Sequence, residues 1–313
     1  MKSKLKIPFV KKERTLFEVL SFLSAVIVFS IIFLIFVSLF FDSLPAIKVF
    51  GLKFIVGTKW DPVRNLYGAL PQIYGTVVTS ILSIIIAFPI GILTAFFLTE
   101  ISPSYLSKPL SIGIELLSAI PSIIYGMWGL FVLAPIISNK VFIPVKGKFP
   151  DSPLFAGPPM GIGIFTASIV LSIMILPLIV SICRELLLLV PNMVRESAYA
   201  IGATKAEVSL GILFKYAKKG IIGATFLALG RALGETMAVT FVIGNQHKIS
   251  TSIIAPSSTI ASTLANEMTE AVTDLHISSL VFLGLVLFFL SMTVISLSKY
   301  LIYSAEKGVF QGK

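Results

Sequence analysis

Six long apolar stretches punctuate the chain: Val19 to Phe41, Asn65 to Thr99, Leu116 to Asn139, Ser152 to Cys183, Gly220 to Gly244 and Leu275 to Ser298. Five of them hold no Asp, Glu, Lys or Arg. A helix needs about 20 apolar residues to cross a hydrocarbon core of roughly 30 Å, so each stretch is long enough to span. None alternates between apolar and polar positions as the short strands of a membrane barrel do. The pattern predicts an all-α integral membrane protein of about six transmembrane helices, at 16–41, 73–99, 110–138, 160–183, 220–244 and 277–298. Between them lie loops at 42–72, 139–159, 184–219 and 245–276, with an arm at 1–15 and a tail at 299–313. Five prolines between Lys140 and Pro159 predict irregular chain there. A short helix is expected within Ser262 to Thr273.

Composition agrees with that reading: 56% of the 313 residues are hydrophobic and 13% charged, against about 25% charged in soluble domains. The first run is 23 residues, longer than the roughly 7 to 15 of a signal-peptide core, and no small-residue cleavage site follows. It is read as a retained helix. The net charge of +10 is scattered among loops, unlike the basic stripe of a nucleic-acid surface. With the N-terminus inside, 16 Lys and Arg fall on the cytoplasmic side and 8 outside, which predicts cytoplasmic termini. The single cysteine, Cys183, rules out an intrachain disulfide. With two histidines besides it, few ligands remain for a metal.

The fifth stretch is the exception, because it carries Arg231 and Glu235. A cation at the middle of a membrane helix costs about 2.5 kcal/mol or more. On one continuous helix the two charges share a face and can pair, with Ala224, Ala228 and Ala238 projecting to the same side. Gly230 and Gly234 would let another helix approach closely. Two readings follow: an ion pair that joins helices, or a pathway for an anion whose hydration the guanidinium fork replaces. Pro121-Ser122, Pro89 and Pro177 interrupt other runs and can free backbone groups towards a cavity.

The 36-residue segment Arg184 to Lys219 is too patterned for a linker. Val194 to Gly202 reads as a helix ended by glycine, lying against protein or membrane.

Glu196-Ser197-Ala198, then Gly202, then Ile212 resembles the EAA motif of permease subunits in ABC importers, although Phe214 and Lys215 stand where that pattern has Leu-Pro. Longer likeness lies in Tyr67 to Thr76, Ala119 to Gly129, Leu229 to Val239 and Thr259 to Glu267, which resemble the PstC type of phosphate permease. The resemblance implies a type I ABC importer permease fold and a plasma-membrane subunit of a prokaryotic phosphate importer. It implies as partners a homologous second permease, two ATP-binding cassette subunits and an extracytoplasmic phosphate-binding protein. Arg231 and Glu235 are the implied pathway residues, to which the Pro121-Ser122 interruption adds Ser122 as a candidate; Glu196, Ser197, Ala198 and Gly202 form the implied coupling helix. No G-x-x-x-x-G-K-[ST] occurs in the chain, so ATP and Mg are expected on the partner ATPase, with no cofactor and no catalysis in this chain. A permease for sulfate or molybdate, a secondary anion transporter and a membrane enzyme are the competing classes. The last lacks a nucleophile with a base at helical spacing.

Overall fold

The computed structural model describes residues 9–310, with side chains over 16–300. Lys2, Lys4 and Lys6 of the basic arm and the last three residues lie outside the described residues, as do the side chains of Lys11, Lys12 and Arg14.

A 42-residue helix, α1 (Phe9–Phe50), opens the described chain and packs along α13 (Asp274–Phe310), the last helix. The expected loop at 42–72 therefore begins as helix. Ala46 is fully buried in an apolar cluster with Phe54 and Leu280, and that burial carries α1 past Pro45. After the short helix α2 (Lys53–Val56), Trp60–Asp61 (β1) and Leu66–Tyr67 (β2) pair antiparallel as a two-stranded hairpin. Asp61 accepts hydrogen bonds from the Val63 and Arg64 amides, and Asn65 turns the chain at φ 52°.

The helix α3 (Leu70–Phe96), extended by a π turn at Phe97–Ile101, runs from the hairpin to the other end of the molecule. There α4 (Ser104–Ala119) begins. The chain is extended at Ile120 and Pro121, then helical again through α5 (Ser122–Trp128), α6 (Ala134–Ile137) and α7 (Ile143–Lys148), joined by π turns. This corrects the expectation of irregular chain from Lys140. Pro135 and Pro144 each follow a π turn, which opens the carbonyl row where a proline ring would otherwise collide.

The centre of the fold is α8 (Ile164–Leu188), whose Leu171, Ile175 and Ile179 are fully buried between α3 and α10 (Phe214–Leu233). Lipid is as apolar as these side chains, so close packing, not dehydration, holds such helices together. A Cβ on Gly91 of α3 would stand 2.7 Å from Ile179. Between α8 and α10 lies α9 (Asn192–Ala200); after α10 come α11 (Met237–Val242) and α12 (Ile260–Glu267).

Among the described residues five helices are long and apolar enough to cross a membrane: Leu16–Phe50, Leu70–Ile101, Ser122–Lys148, Ile164–Leu188 and Asp274–Tyr300. The fifth apolar stretch, Gly220 to Gly244, is not one helix. It breaks at Gly234, where α10 ends, and resumes as α11 at Met237.

Candidate functional site

That break decides what Arg231 and Glu235 do. Arg231 lies in the last turn of α10, where a cation favours the negative helix end. Glu235 lies beyond the end, and its Oε1 accepts a hydrogen bond from the Ala238 amide at 3.2 Å, at the start of α11. Each charge is offset by its own helix end. Among the described residues they form no ion pair with each other, and the expected i, i+4 pairing is corrected. The small side chains do not flank the charge either. Ala224, Ala228 and Ala238 are buried inside the chain, while Arg231 is exposed and Glu235 half-buried. Among the described residues no other helix approaches Gly230 or Gly234: added Cβ atoms would meet open space at the first and only the Gly230 carbonyl, 4.0 Å away, at the second.

Ser122 is the first residue of α5, half-buried, just after the extended Pro121. This second break adjoins the first. Gly126 of α5 is pressed on Ala238, a Cβ there standing 3.0 Å from the Ala238 Cα, and Gly129 in turn faces Val242. The contacts advance together along both helices, so α5 and α11 run parallel, α11 starting about one turn further along. Two interrupted helices with neighbouring N-terminal ends and an exposed guanidinium resemble the broken-helix substrate sites of transporters.

At the far end, α9 carries the second group of sequence-predicted residues. Val194 and Ala198 pack into the core; Glu196, Ser197 and Gly202 are exposed, with Met193 and Ile201 beside them. Gly202 adopts φ +89°, its amide donates to the Tyr199 carbonyl, and Ala203 N donates to Ala198 O at 3.1 Å. This pairing closes a helix on a left-handed residue. Thr204 and Glu207 then start the next helical segment by exchanging hydrogen bonds. The Thr204 backbone and hydroxyl hold the exposed Glu207 carboxyl below its ordinary value.

The hairpin end holds a cluster that sequence reasoning missed. Glu267, at the end of α12, accepts from Trp60 Nε1 at 2.9 Å, from His247 Nε2 at 3.0 Å and from His276 Nε2 at 3.0 Å. Burial pushes the Glu267 carboxyl up, but these three donors outweigh it and hold the group below its ordinary value. The Gln72 carboxamide lies 3.1 Å from His247 Nδ1; turned to satisfy both its ends, it donates to Gly68 and Ala69 carbonyls and accepts from Nδ1. Both imidazole Nε2 atoms point at one carboxylate, which makes the group a clamp, and it is not arranged to hold a metal. The available signal was that the chain's two histidines fall in one loop region with Glu267.

Residues 87–305 match the family described as binding-protein-dependent transport system inner membrane component. The phosphate transport system permease protein PstC of Mesorhizobium japonicum is 51% identical over 270 residues, 85% of this chain and 83% of that protein. The PstC protein of Haemophilus influenzae is 46% identical over 297 residues, 94% of each chain. A probable PstC of Methanocaldococcus jannaschii is 34% identical, covering 89% of this chain and 90% of its own. In fold, an inward-facing structure of the MetNI methionine ABC transporter aligns with a TM-score of 0.58 at 15% identity, over 79% of this chain and 99% of that one. With its broken helices and glycine-capped α9, the chain belongs to the binding-protein-dependent transport system inner membrane components and, among them, to the PstC permeases.

Proposed function

We propose that this chain is the permease subunit forming half of the path by which an ATP-driven importer moves inorganic phosphate across the plasma membrane. Its role is transport, not catalysis. The observation that carries the reading is the exposed Arg231 guanidinium, unpaired with any carboxylate of the described chain, at the point where α10 breaks and α11 starts. A dianion leaving water needs donors in place of its hydration shell, and a guanidinium fork presents parallel N–H groups to phosphate oxygens. Ser122 and Glu235 border the same pair of helix starts. Glu235, which would repel a dianion, is held against the α11 amides and so is partly neutralised.

The open face around Gly230 and Gly234 is where a homologous second permease completes the path. Glu196, Ser197 and Gly202 on the exposed side of α9, with Ala198 anchoring the helix beneath, meet one of two partner ATPases on the cytoplasmic side, where both termini lie. Those partners bind ATP and Mg. An extracytoplasmic phosphate-binding protein delivers the anion to the hairpin end. ATP-driven closure of the ATPases moves α9 and switches the path between outward-open and inward-open states.

Replacing Arg231 by Gln tests the reading. Gln keeps neutral donors but no charge, so uptake of radiolabelled phosphate falls at least roughly a hundredfold, the scale of losing one preorganised charged contact, in cells lacking other phosphate transporters. The variant chain remains in the membrane at its normal level. Uptake at the wild-type rate would remove Arg231 from the path; loss of the protein would make it structural.

A further inference from the structure

Next to the exposed Glu196, Arg195 points the opposite way, into the protein. Its Nε donates to Glu100 Oε1 at 3.0 Å, one terminal nitrogen to Val190 O at 2.7 Å and Asn192 Oδ1 at 3.2 Å, and the other to Leu187 O at 2.5 Å. The side chains of Arg195 and Glu100 are 14% and 6% exposed, so solvent screens the pair little. The planar guanidinium thus ties three elements at once: α9 itself, the end of α8 with the turn after it, and the π turn that ends α3.

We infer that Arg195 and Glu100 form a strut that makes α3 follow α9, and that Arg195 is the positioning residue converting movement of the ATPase contact into movement of the pathway helices. The inference rests on the proposed function above. Three features of the contact carry it. A buried ion pair contributes little to stability compared with apolar side chains of the same size, so what it supplies here is geometry. The five guanidinium N–H groups lie in one rigid plane, and any tilt of α9 against α8 or α3 breaks at least one of the four bonds. Glu100 is presented by a π turn, an insertion that recurs at functional positions in helices. The turn is itself held, with Ser102 N on Phe97 O and Ser107 Oγ on Leu98 O.

Movement delivered to Glu100 has a rigid route onward. Along α3, Gly91 is locked against Ile179 of α8, and at the far end a Cβ on Gly75 would stand 2.0 Å from the Ser258 carbonyl oxygen. The Ile260 amide donates to Thr76 Oγ1 at 2.9 Å. A displacement of α3 is therefore passed to the segment between α11 and α12 with no slack in the packing.

The test uses the complete importer in proteoliposomes, measuring phosphate taken up per ATP hydrolysed. Glu100→Met keeps roughly the length of the side chain but removes both acceptor oxygens, leaving Arg195 bonded to Leu187, Val190 and Asn192, so the complex assembles. The expected result is retained ATP hydrolysis with a ratio reduced roughly fivefold or more, the size of a typical coupling between sites. Arg195→Met, which keeps the length and loses all four bonds, lowers the ratio further. Should Arg195→Met fail to assemble, Glu100→Met alone decides. A wild-type ratio in Glu100→Met overturns the strut, and so does a parallel fall of uptake, hydrolysis and assembled complex, which marks a merely structural pair. If the wild-type complex itself shows no ATP-dependent uptake, the functional reading fails instead, and the control reveals it.

Discussion

At Arg231 and Glu235 the spacing of four residues points to a salt bridge only if the backbone between them stays helical. Gly234 ends α10 instead, and the chain turns at Thr236 before α11 resumes. The guanidinium is then left at the negative end of one helix and the carboxylate at the positive end of the next. Charge is offset without being joined, and the arginine stays available to an anion. This makes a prediction for stability separate from transport. In purified complexes heated at one scan rate, the shifts caused by Arg231→Gln and Glu235→Gln add in the double variant to within about 0.5 kcal/mol, as for residues without a shared contact. A coupling above roughly 1 kcal/mol would restore the direct ion pair and end the account of two independent helix-end charges. The same residues show the limit of reading a sequence by spacing: an apolar run containing Gly-Glu looks continuous because a composition window cannot tell a helix from two helices meeting at a glycine.

Among the elements, α9 was the most legible. The glycine at its end, the charges on one side and the apolar Val194 and Ala198 on the other all follow from helical period, and Gly202 adopts φ +89° in the folded chain. Five of the apolar runs likewise fall on helices long and apolar enough to cross a membrane, because length and absence of charge are local properties, whereas the run Gly220 to Gly244 does not. The hairpin, the π turns and the helix through Lys148 were not legible. Prolines normally end helices, and nothing within a short window reports the wider turns that admit Pro135 and Pro144. For α9 the open space around Gly202, with nothing within 4 Å of an added Cβ, permits a clean comparison. Gly202→Ala and Gly202→Tyr both strain a left-handed residue by about 1–2 kcal/mol, but only Tyr projects into the space assigned to the ATPase. The expectation is that Ala transports phosphate at a modestly reduced rate. Tyr inserts normally and either loses the ATPase on purification or hydrolyses ATP without uptake. Equal behaviour of the two variants would reduce α9 to an ordinary surface helix whose cap alone matters.

On the scale of the whole molecule, two buried polar contacts stand at opposite ends: Arg195 with Glu100 beside α9, and Glu267 with its three donors beside the hairpin. The second joins residues 207 positions apart in sequence, Trp60 and Glu267, and no local pattern could have announced it. It closes the hairpin end over the region where α3, α12 and α13 begin or end, so the clamp holds together parts that share little backbone hydrogen bonding. Its carboxylate gives it a pH dependence of known sign. The folded protein holds Glu267 below its ordinary value of 4.5, since donation from His247, Trp60 and His276 exceeds the opposing effect of burial. A carboxyl with a lowered folded value contributes stability that is fully present above the unfolded value and is lost as pH falls through the folded one. The clamp is therefore intact at neutral pH and begins to fail as the medium is acidified below about 4.5. The carboxylate's other neighbours do not reverse this sign. Asp61 is half-exposed, and the Tyr67 hydroxyl, raised chiefly by its own burial, stays neutral across the range. The measurement is the thermal midpoint of the purified complex against pH for wild type and Glu267→Gln. Gln accepts some of the same hydrogen bonds but cannot titrate, so the wild type is the more stable above about pH 4.5 and loses that advantage as the pH falls further. A gap that stays constant from about pH 5 down to about pH 3 would show that the carboxylate's charge contributes nothing and that the clamp is held by shape alone.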